Sequence, residues 1–330
     1  MADQNHPPLV FNIHGVQTLD KVGDALQKAP WVAKYTSGVV CTFERRVSDT
    51  RLQIMSSLLR QSDDIQHLSL FCMYSPDTII DIVDAIRTGR GSVCWDHLQS
   101  LDLYCQLELG TKPLRVNAAS LLFQSVPSMR IMKLNTILDA SILGNLKQLR
   151  DGVGLDYLAG PLDVHEALCT SDLASPLPTE ICVNGPADSG ASISPSVRMR
   201  DMLAATTPRR LEGVHVMSVT PYYSVPLDLW RLTRLRVLAI HITSQQTADH
   251  LFADMPSSLQ SLQLTYRVTN LNIEQLTRSL EGTQLKRLTR LVFRKMKPCT
   301  AVELEFYRVA LQSICTSRRI VLEATIFKLQ

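Results

Sequence analysis

The sequence lacks the features that mark membrane, secreted and nucleic-acid-binding proteins. No stretch approaches the roughly 20 consecutive apolar residues of a membrane-spanning helix, and the polar N-terminus has no apolar signal-peptide core. No Asn-x-Ser/Thr glycosylation motif occurs. Lys and Arg total 34 against 31 Asp and Glu, a formal net charge of only +3, and the basic residues are scattered. We therefore expect a cytoplasmic or nuclear protein that binds neither membranes nor nucleic acid.

Motifs for catalysis, cofactor binding and metal binding are also missing. The chain has no G-x-S-x-G nucleophile turn, no G-x-x-x-x-G-K-[ST] phosphate loop and no G-x-G-x-x-G dinucleotide motif. Cys94-x-x-His97 and His165-x-x-x-Cys169 offer two metal ligands each, whereas a structural zinc site needs four. We expect no cofactor and no bound metal, and the chain is not predicted to be an enzyme.

The eight cysteines form no compact framework of the kind that disulfide-rich proteins show. Several lie on or beside predicted core strands, namely Cys41, Cys72, Cys105 and Cys182. Reduced, mostly buried thiols are therefore expected.

A recurring hydrophobic hexad, apolar-x-x-Leu-x-Leu, is the most informative feature present. Its clearest copies begin at Leu98, Leu235, Leu259 and Leu288, and looser copies begin at Ile65, Met129 and Leu211. The starts at 65, 98 and 129 differ by 33 and 31 residues, and those at 211, 235, 259 and 288 differ by 24, 24 and 29. Such spacing is enough for one strand, a turn and a short helix. Two poorer copies begin at Leu155 and Pro178. This repeat predicts an α/β solenoid whose units bury their apolar faces by stacking on one another.

The segments between hexads predict helices and the ends of the array. Residues 77–86, 272–280 and 301–315 carry helical apolar patterns, and residues 19–35 read as a helix interrupted at Pro30, flanked by strands at 10–13 and 39–43. We predict one repeat domain over residues 1–330, with a helix-containing cap region at 1–60, an exposed Gly-, Pro- and Ser-rich loop at 184–196, and a second cap at 301–330.

The hexads and helical spacers resemble leucine-rich repeats of the longer, helix-bearing form. The segment ALQKAPWVAKY at residues 25–35, the strand VVCTF at 39–43, Leu58-Leu59 and the hexad of residues 65–70 are similar to the irregular repeat region of fungal F-box proteins. This resemblance implies a right-handed, horseshoe-shaped solenoid with a parallel concave sheet and outer helices. It further implies the substrate-receptor part of an F-box-like ubiquitin-ligase adaptor.

The chain departs from that family in two ways. The Asn or Cys that often follows the hexad is largely missing, and LPTEI at residues 177–181 matches only the opening of an F-box before running into NGPADSG. A ligase linker subunit is therefore expected as a partner only if an F-box lies outside this chain. A free-standing leucine-rich-repeat scaffold unrelated to ubiquitin is the alternative.

Strand alternation predicts which side chains line the sheet face opposite the core. The third and fifth hexad positions and the residue after the hexad point away from the core. This face is mixed in chemistry, with aromatic, charged and polar residues of the kind found in protein interfaces. A protein or peptide partner is therefore expected, with contacts drawn from Phe71, Ser100, Asp102, Tyr104, Lys133, Asn135, His215, Met217, His241, Gln263, Arg290 and Arg294.

Two pairs on this face carry specific predictions. Asp102 and Lys133 fall in equivalent positions of consecutive hexads, which predicts a lateral ion pair about 5 Å apart at the backbone. If the poor hexad at Pro178 is real, Cys182 and His215 are also neighbours, an arrangement that could form a thiolate–imidazolium pair. A cysteine hydrolase is accordingly kept as a remote alternative function.

Overall fold

A computed structural model describes twelve stretches of the chain: residues 8–44, 47–62, 64–72, 97–105, 130–135, 155–169, 178–184, 193–205, 211–216, 225–266, 271–296 and 301–327. The chain divides into two compact units, Met1–Pro176 and Leu177–Gln330, called unit 1 and unit 2 below.

Unit 1 contains six described strands that pair in chain order, each parallel to the next. The strands are β1 (Leu9–His14), β2 (Thr36–Phe43), β3 (His67–Cys72), β4 (Ser100–Cys105), β5 (Ile131–Asn135) and β6 (Tyr157–Gly160). The described helices are α1 (Gly15–Lys28), α2 (Trp31–Lys34), α3 (Asp49–Gln61) and α4 (Leu162–Cys169). Parallel neighbours require a crossover between strands, which α1 to α3 supply in the first two connections.

Unit 2 repeats this plan with six further described strands, parallel wherever their pairing within the unit is described. They are β7 (Glu180–Val183), β8 (Gly213–Val216), β9 (Val237–Ile242), β10 (Ser261–Tyr266), β11 (Arg290–Met296) and β12 (Val321–Phe327). The helices are α5 (Pro195–Ala205), α6 (Gln245–Ala253), α7 (Glu274–Glu281) and α8 (Ala301–Ser317), with a 3-10 turn at Leu229–Arg231.

The hexad leucines form the core because the strand register stacks them side by side. Leu262 of β10 pairs with Leu238 on one side and Leu291 on the other, and all three are fully buried. A parallel sheet spaces neighbouring strands about 4.8 Å apart, so these side chains touch along a continuous apolar layer. The predicted α/β class with parallel, consecutive hexad strands is confirmed. Even the poor hexads at Leu155 and Pro178 coincide with strands β6 and β7.

Several predicted helices match the structure, and others were not foreseen. The helix predicted at 19–35 is two helices, α1 and α2, separated at Ala29 and Pro30, and the helices predicted at 272–280 and 301–315 correspond to α7 and α8. The sequence patterns did not indicate α3 to α6. The helix predicted at 77–86 lies outside the described residues, as do residues 185–192 of the predicted loop, whose last two residues begin α5.

Buried polar groups join successive turns of unit 2. The Asp254 carboxylate, which follows α6, accepts hydrogen bonds from the backbone N–H groups of Leu227 and Leu229, 3.1 and 3.0 Å away. Burial nevertheless raises the pKa of Asp254, because desolvation, together with the nearby charge of Asp228, outweighs the backbone hydrogen bonds that lower it. One carboxylate thus fixes the 3-10 turn of one repeat to the helix end of the next.

One lysine occupies a core position. Lys295 continues the inward row of β11 after Leu291 and Phe293, and its side chain is wholly buried. Its ammonium group pairs with the Glu303 carboxylate of α8 and lies 4.9 Å from the centre of the Tyr266 ring. The buried charge is therefore compensated by an ion pair and a cation–π contact.

No helix in the described stretches is long and apolar enough to span a bilayer. The cysteines for which the structure describes a side chain, Cys41, Cys72, Cys182 and Cys315, are buried and form no disulfide. Burial raises the pKa of the Cys41 thiol, which disfavours its nucleophilic thiolate form.

Candidate binding surface

Strands β3 to β5 of unit 1 have a partly exposed face on the side of the sheet opposite the core. Along β3 burial alternates strictly, with Leu68, Leu70 and Cys72 inward and the intervening residues outward. The same alternation holds along the described side chains of β4. We call the outward side of β3, β4 and β5 the unit 1 face; its described side chains are His67, Ser69, Phe71, Ser100, Asp102, Tyr104, Ile131 and Lys133.

An aromatic pair forms the centre of one row of the unit 1 face. Phe71 of β3 and Tyr104 of β4 are register partners, and their ring centroids lie 5.8 Å apart with planes tilted by 37°. Both residues are only partly buried. Tilted aromatic pairs at this distance attract one another, so the two rings hold each other in place as one apolar platform.

The adjacent row contains the predicted ion pair. Asp102 of β4 is the register partner of Lys133 of β5, and a carboxylate oxygen of Asp102 lies 3.8 Å from Lys133 Nζ. Burial against the sheet raises the pKa of Asp102, and the nearby lysine only partly offsets this effect. The Asp102 carboxylate is thus partly desolvated, and its ion pair with Lys133 is close to the longest distance at which such a pair forms.

The corresponding face of unit 2 is more closed. Ala239, Thr265, Val292 and His241 are all buried there although they point away from the hexad leucines. His241 is 7% exposed, and neither of its ring nitrogens has a hydrogen-bond partner among the residues that the structure describes. Burial lowers the pKa of His241 because the charged imidazolium loses its hydration. Of the predicted contacts, His241 is therefore covered in the free protein.

The other predicted contact residues of both units are at least partly exposed or lie outside the described residues. Arg290 is exposed and pairs with Glu323 of β12 at 2.9 Å, while Gln263 and Arg294 are partly buried. Ser100 of unit 1 is partly buried as well. The side chain of Asn135 and the whole of Met217 lie outside the described residues.

The predicted neighbours Cys182 and His215 are register partners on β7 and β8. Sequence reasoning missed a third member of this group, Glu180, which stands two residues before Cys182 on the same face and approaches His215 Nε2 to 3.7 Å. A Cβ atom at Gly213 would lie only 2.7 Å from Glu180 Cγ, so the glycine leaves room for this approach. Burial lowers the pKa of His215, and Glu180 partly counteracts it. Strand alternation within the Pro178 hexad would have identified Glu180.

Among the residues that the structure describes, no three His, Cys, Asp or Glu side chains are arranged so that they could hold a metal ion. No protein-family model matches the chain, and no curated protein is significantly similar to it.

Proposed function

We propose that the protein is a non-catalytic recognition scaffold inside the cell and that the unit 1 face binds a protein or peptide. The observation that carries this proposal is the aromatic pair Phe71–Tyr104, held at 5.8 Å on a sheet face whose other side is fully occupied by the core. Aromatic side chains that stay partly exposed in a rigid setting are the usual anchors of protein interfaces.

The surroundings of the pair favour a protein partner over a polyanion. Asp102 and Lys133 stand in the next row, so the face offers one charge of each sign beside an apolar platform. A polyanion would require several cations and would be repelled by the carboxylate. A peptide with an apolar side chain for the rings and a polar group for the ion pair fits both rows.

Leucine-rich-repeat character is part of the proposal. Its support is the stack of hexad leucines on consecutive parallel strands, such as Leu238, Leu262 and Leu291. On this basis we propose two versions of the scaffold: the substrate-receptor part of an F-box-like ubiquitin-ligase adaptor, and a free-standing leucine-rich-repeat scaffold without a role in ubiquitin transfer. Capture of the ligase linker subunit by the tagged protein, alongside an authentic F-box protein, separates them. No capture where the authentic protein succeeds contradicts the adaptor version.

Affinity enrichment with mass spectrometry, comparing the natural protein with Phe71→Ala/Tyr104→Ala, tests the recognition proposal. We expect the double variant to fold and to bind the main partner at least about 30-fold more weakly, because the loss of even one interface anchor costs about 2 kcal/mol or more.

The chain offers a matched control for this experiment. Trp31, the first residue of α2, and Tyr35, which follows α2, form another aromatic pair in unit 1, with centroids 6.0 Å apart. Neither residue belongs to β3, β4 or β5. Trp31→Ala/Tyr35→Ala removes a comparable apolar area and should leave binding unchanged. Full binding by the Phe71/Tyr104 variant, or equal loss in both variants, contradicts the proposal.

A cysteine hydrolase is the second candidate function, and the contact of Glu180 with His215 beside Cys182 favours it. A nucleophile, a base and an orienting carboxylate on one face are the parts that thiol catalysis needs. This candidate requires a thiol-directed probe to label Cys182 faster than the same residue in His215→Ala. Equal labelling rates would exclude it.

A further inference from the structure

The last helix of unit 2, α8, has apolar residues on two opposite sides. Tyr307, Leu311 and Cys315 are buried at intervals of four residues and pack inward. On the opposite side Val302, Phe306 and Val309 are 79%, 66% and 59% exposed. Their spacing of four and three residues places them in one stripe along the helix surface. A helix that is apolar on both sides is typical of a helix covered on both sides.

The neighbouring helices show that this exposure is particular to α8. On α6 the exposed positions include Gln246 and Asp249, and on α7 they include Glu274, Arg278 and Glu281. These are ordinary solvated surfaces. Three large apolar side chains in one exposed stripe are, in contrast, the usual sign of an interaction surface.

The stripe continues toward the C-terminal end of α8 as small residues. Ala310, Ser313 and Ser317 are all exposed and follow the same side of the helix. The first half of the outward face is therefore bulky and the second half is shallow. Such a face is complementary to itself when two copies pair antiparallel. A two-fold axis between residues 309 and 310 sets Phe306 against Ser313 and Val302 against Ser317 of the second copy.

The charges on α8 permit this pairing. Glu305 and Arg308 flank the stripe, and they form an ion pair within the helix, with Arg308 Nε donating to a Glu305 oxygen 2.7 Å away. The pair raises the pKa of Arg308 and lowers that of Glu305, so both charges persist at neutral pH. Pairing of the stripes thus desolvates no uncompensated charge of these two residues. Antiparallel helix dipoles also attract.

We propose that the outward face of α8 binds the same face of a second copy of this chain, antiparallel and centred between Val309 and Ala310. The interface is small. A helix of 17 residues is about 25 Å long, so one stripe buries well below the roughly 800 Å² per partner of a standard stable interface. The dimer is consequently weak, with a dissociation constant in the micromolar range, and depends on protein concentration.

Sedimentation velocity of the full chain over about a hundredfold range of concentration tests the dimer. We expect the natural protein to shift from monomer to dimer and Val309→Glu to raise the dissociation constant at least about tenfold, by placing a charge at the two-fold axis. Val10→Glu is the matched control, since Val10 is a similarly exposed valine on β1 of unit 1 and gains the same charge. A protein that stays monomeric throughout, or an equal effect of both substitutions, overturns the proposal.

The choice of Val309 keeps the stripe distinct from a nearby groove. Phe306 and Val302 also line an open groove of about 800 Å³ with Leu271 and Ile273, whereas Val309 does not. A loss of dimer in Val309→Glu therefore reports on the stripe itself.

Cysteine cross-linking tests the antiparallel arrangement. Across the proposed axis the two copies of residue 310 are separated along the helix by only about 1.5 Å, and the two copies of residue 317 by roughly 22 Å. Mild oxidation should therefore link Ala310→Cys but not Ser317→Cys, as read from the cross-linked peptide by mass spectrometry. A parallel pair would link both variants, and a monomer neither, and either result overturns the arrangement.

Discussion

The buried ion pair between Lys295 and Glu303 allows a quantitative test of the core of unit 2. Lys295 is wholly buried on β11, while Glu303 on α8 is partly exposed. The aromatic ring of Tyr266 also lies against the ammonium, with its centre 4.9 Å away. We therefore expect the two single deletions of this pair to differ in their effect on stability.

Glu303→Ala should be the more damaging change. It leaves the ammonium of Lys295 in the core without its carboxylate, and breaking a buried pair in this way costs about 3–5 kcal/mol of unfolding free energy. Lys295→Met leaves the carboxylate of Glu303 unpaired instead, but that group can turn to water because it is not fully buried. Its cost should be smaller, about 1–2 kcal/mol. In Lys295→Met/Glu303→Ala the charge is gone, and stability should return to within about 2 kcal/mol of the natural protein.

Urea unfolding of the four proteins at neutral pH, followed by circular dichroism, measures these differences. The informative quantity is the double-mutant coupling, which should be at least about 2 kcal/mol because the two residues are in direct contact. If Glu303→Ala costs less than Lys295→Met, or if the two single effects simply add, then Lys295 does not depend on Glu303 for its burial and the reasoning is refuted.

Three further predictions concern polar groups of unit 2. Burial lowers the pKa of His241 below 6.5, so the unfolded chain takes up a proton at a higher pH than the folded protein does, and the unfolding free energy should fall as the pH drops below about 6.5. In His241→Asn this dependence on pH should be weaker, as measured by urea unfolding at several pH values. An unchanged slope would contradict the prediction. Gly213→Ala should push Glu180 aside, and the pKa of His215 should then fall further, because Glu180 raises that pKa. If the His215 imidazole titrates at the same pH in both proteins by NMR, the two groups do not interact. Asp254→Ala should lower the unfolding free energy by about 2–4 kcal/mol, because two buried N–H groups lose their hydrogen-bond acceptor. Asp254→Asn keeps an acceptor oxygen and should cost less. Equal losses in the two variants would mean that the carboxylate contributes only by packing.

The strands were predictable because their signal is local. An apolar residue at hexad positions one, four and six reflects the two-residue period of a strand and the need of each repeat to cover its neighbour. This period also located the outward row that contains Phe71 and Tyr104, and it predicted that Asp102 and Lys133 would be neighbours. Short helices such as α6 carry a weaker signal, because a helix of nine residues shows its apolar side in only a few positions.

Burial on the sheet face opposite the core could not be predicted from the same pattern. His241 and Arg294 are each the residue that follows a hexad, yet His241 is buried and Arg294 is only partly buried. The difference depends on the size of the side chains on both adjacent strands and on what lies above them, and these neighbours are 20 or more residues away in the chain. The prediction of a Cys182–His215 pair likewise missed Glu180, because only the pairing of β7 with β8 shows that Glu180 lies close to His215.

The amino-acid sequence alone determined a repeating series of parallel strands with a shared leucine layer, because each repeat contains its own hydrophobic periodicity. What only the tertiary structure decided is which polar or apolar residues depart from that layer. Val309 of α8 is a large apolar residue that stays exposed, and Lys295 of β11 is a charged residue that the core encloses. Both outcomes depend on contacts between different repeats, and a helix or strand considered alone does not contain the side chains that cover it.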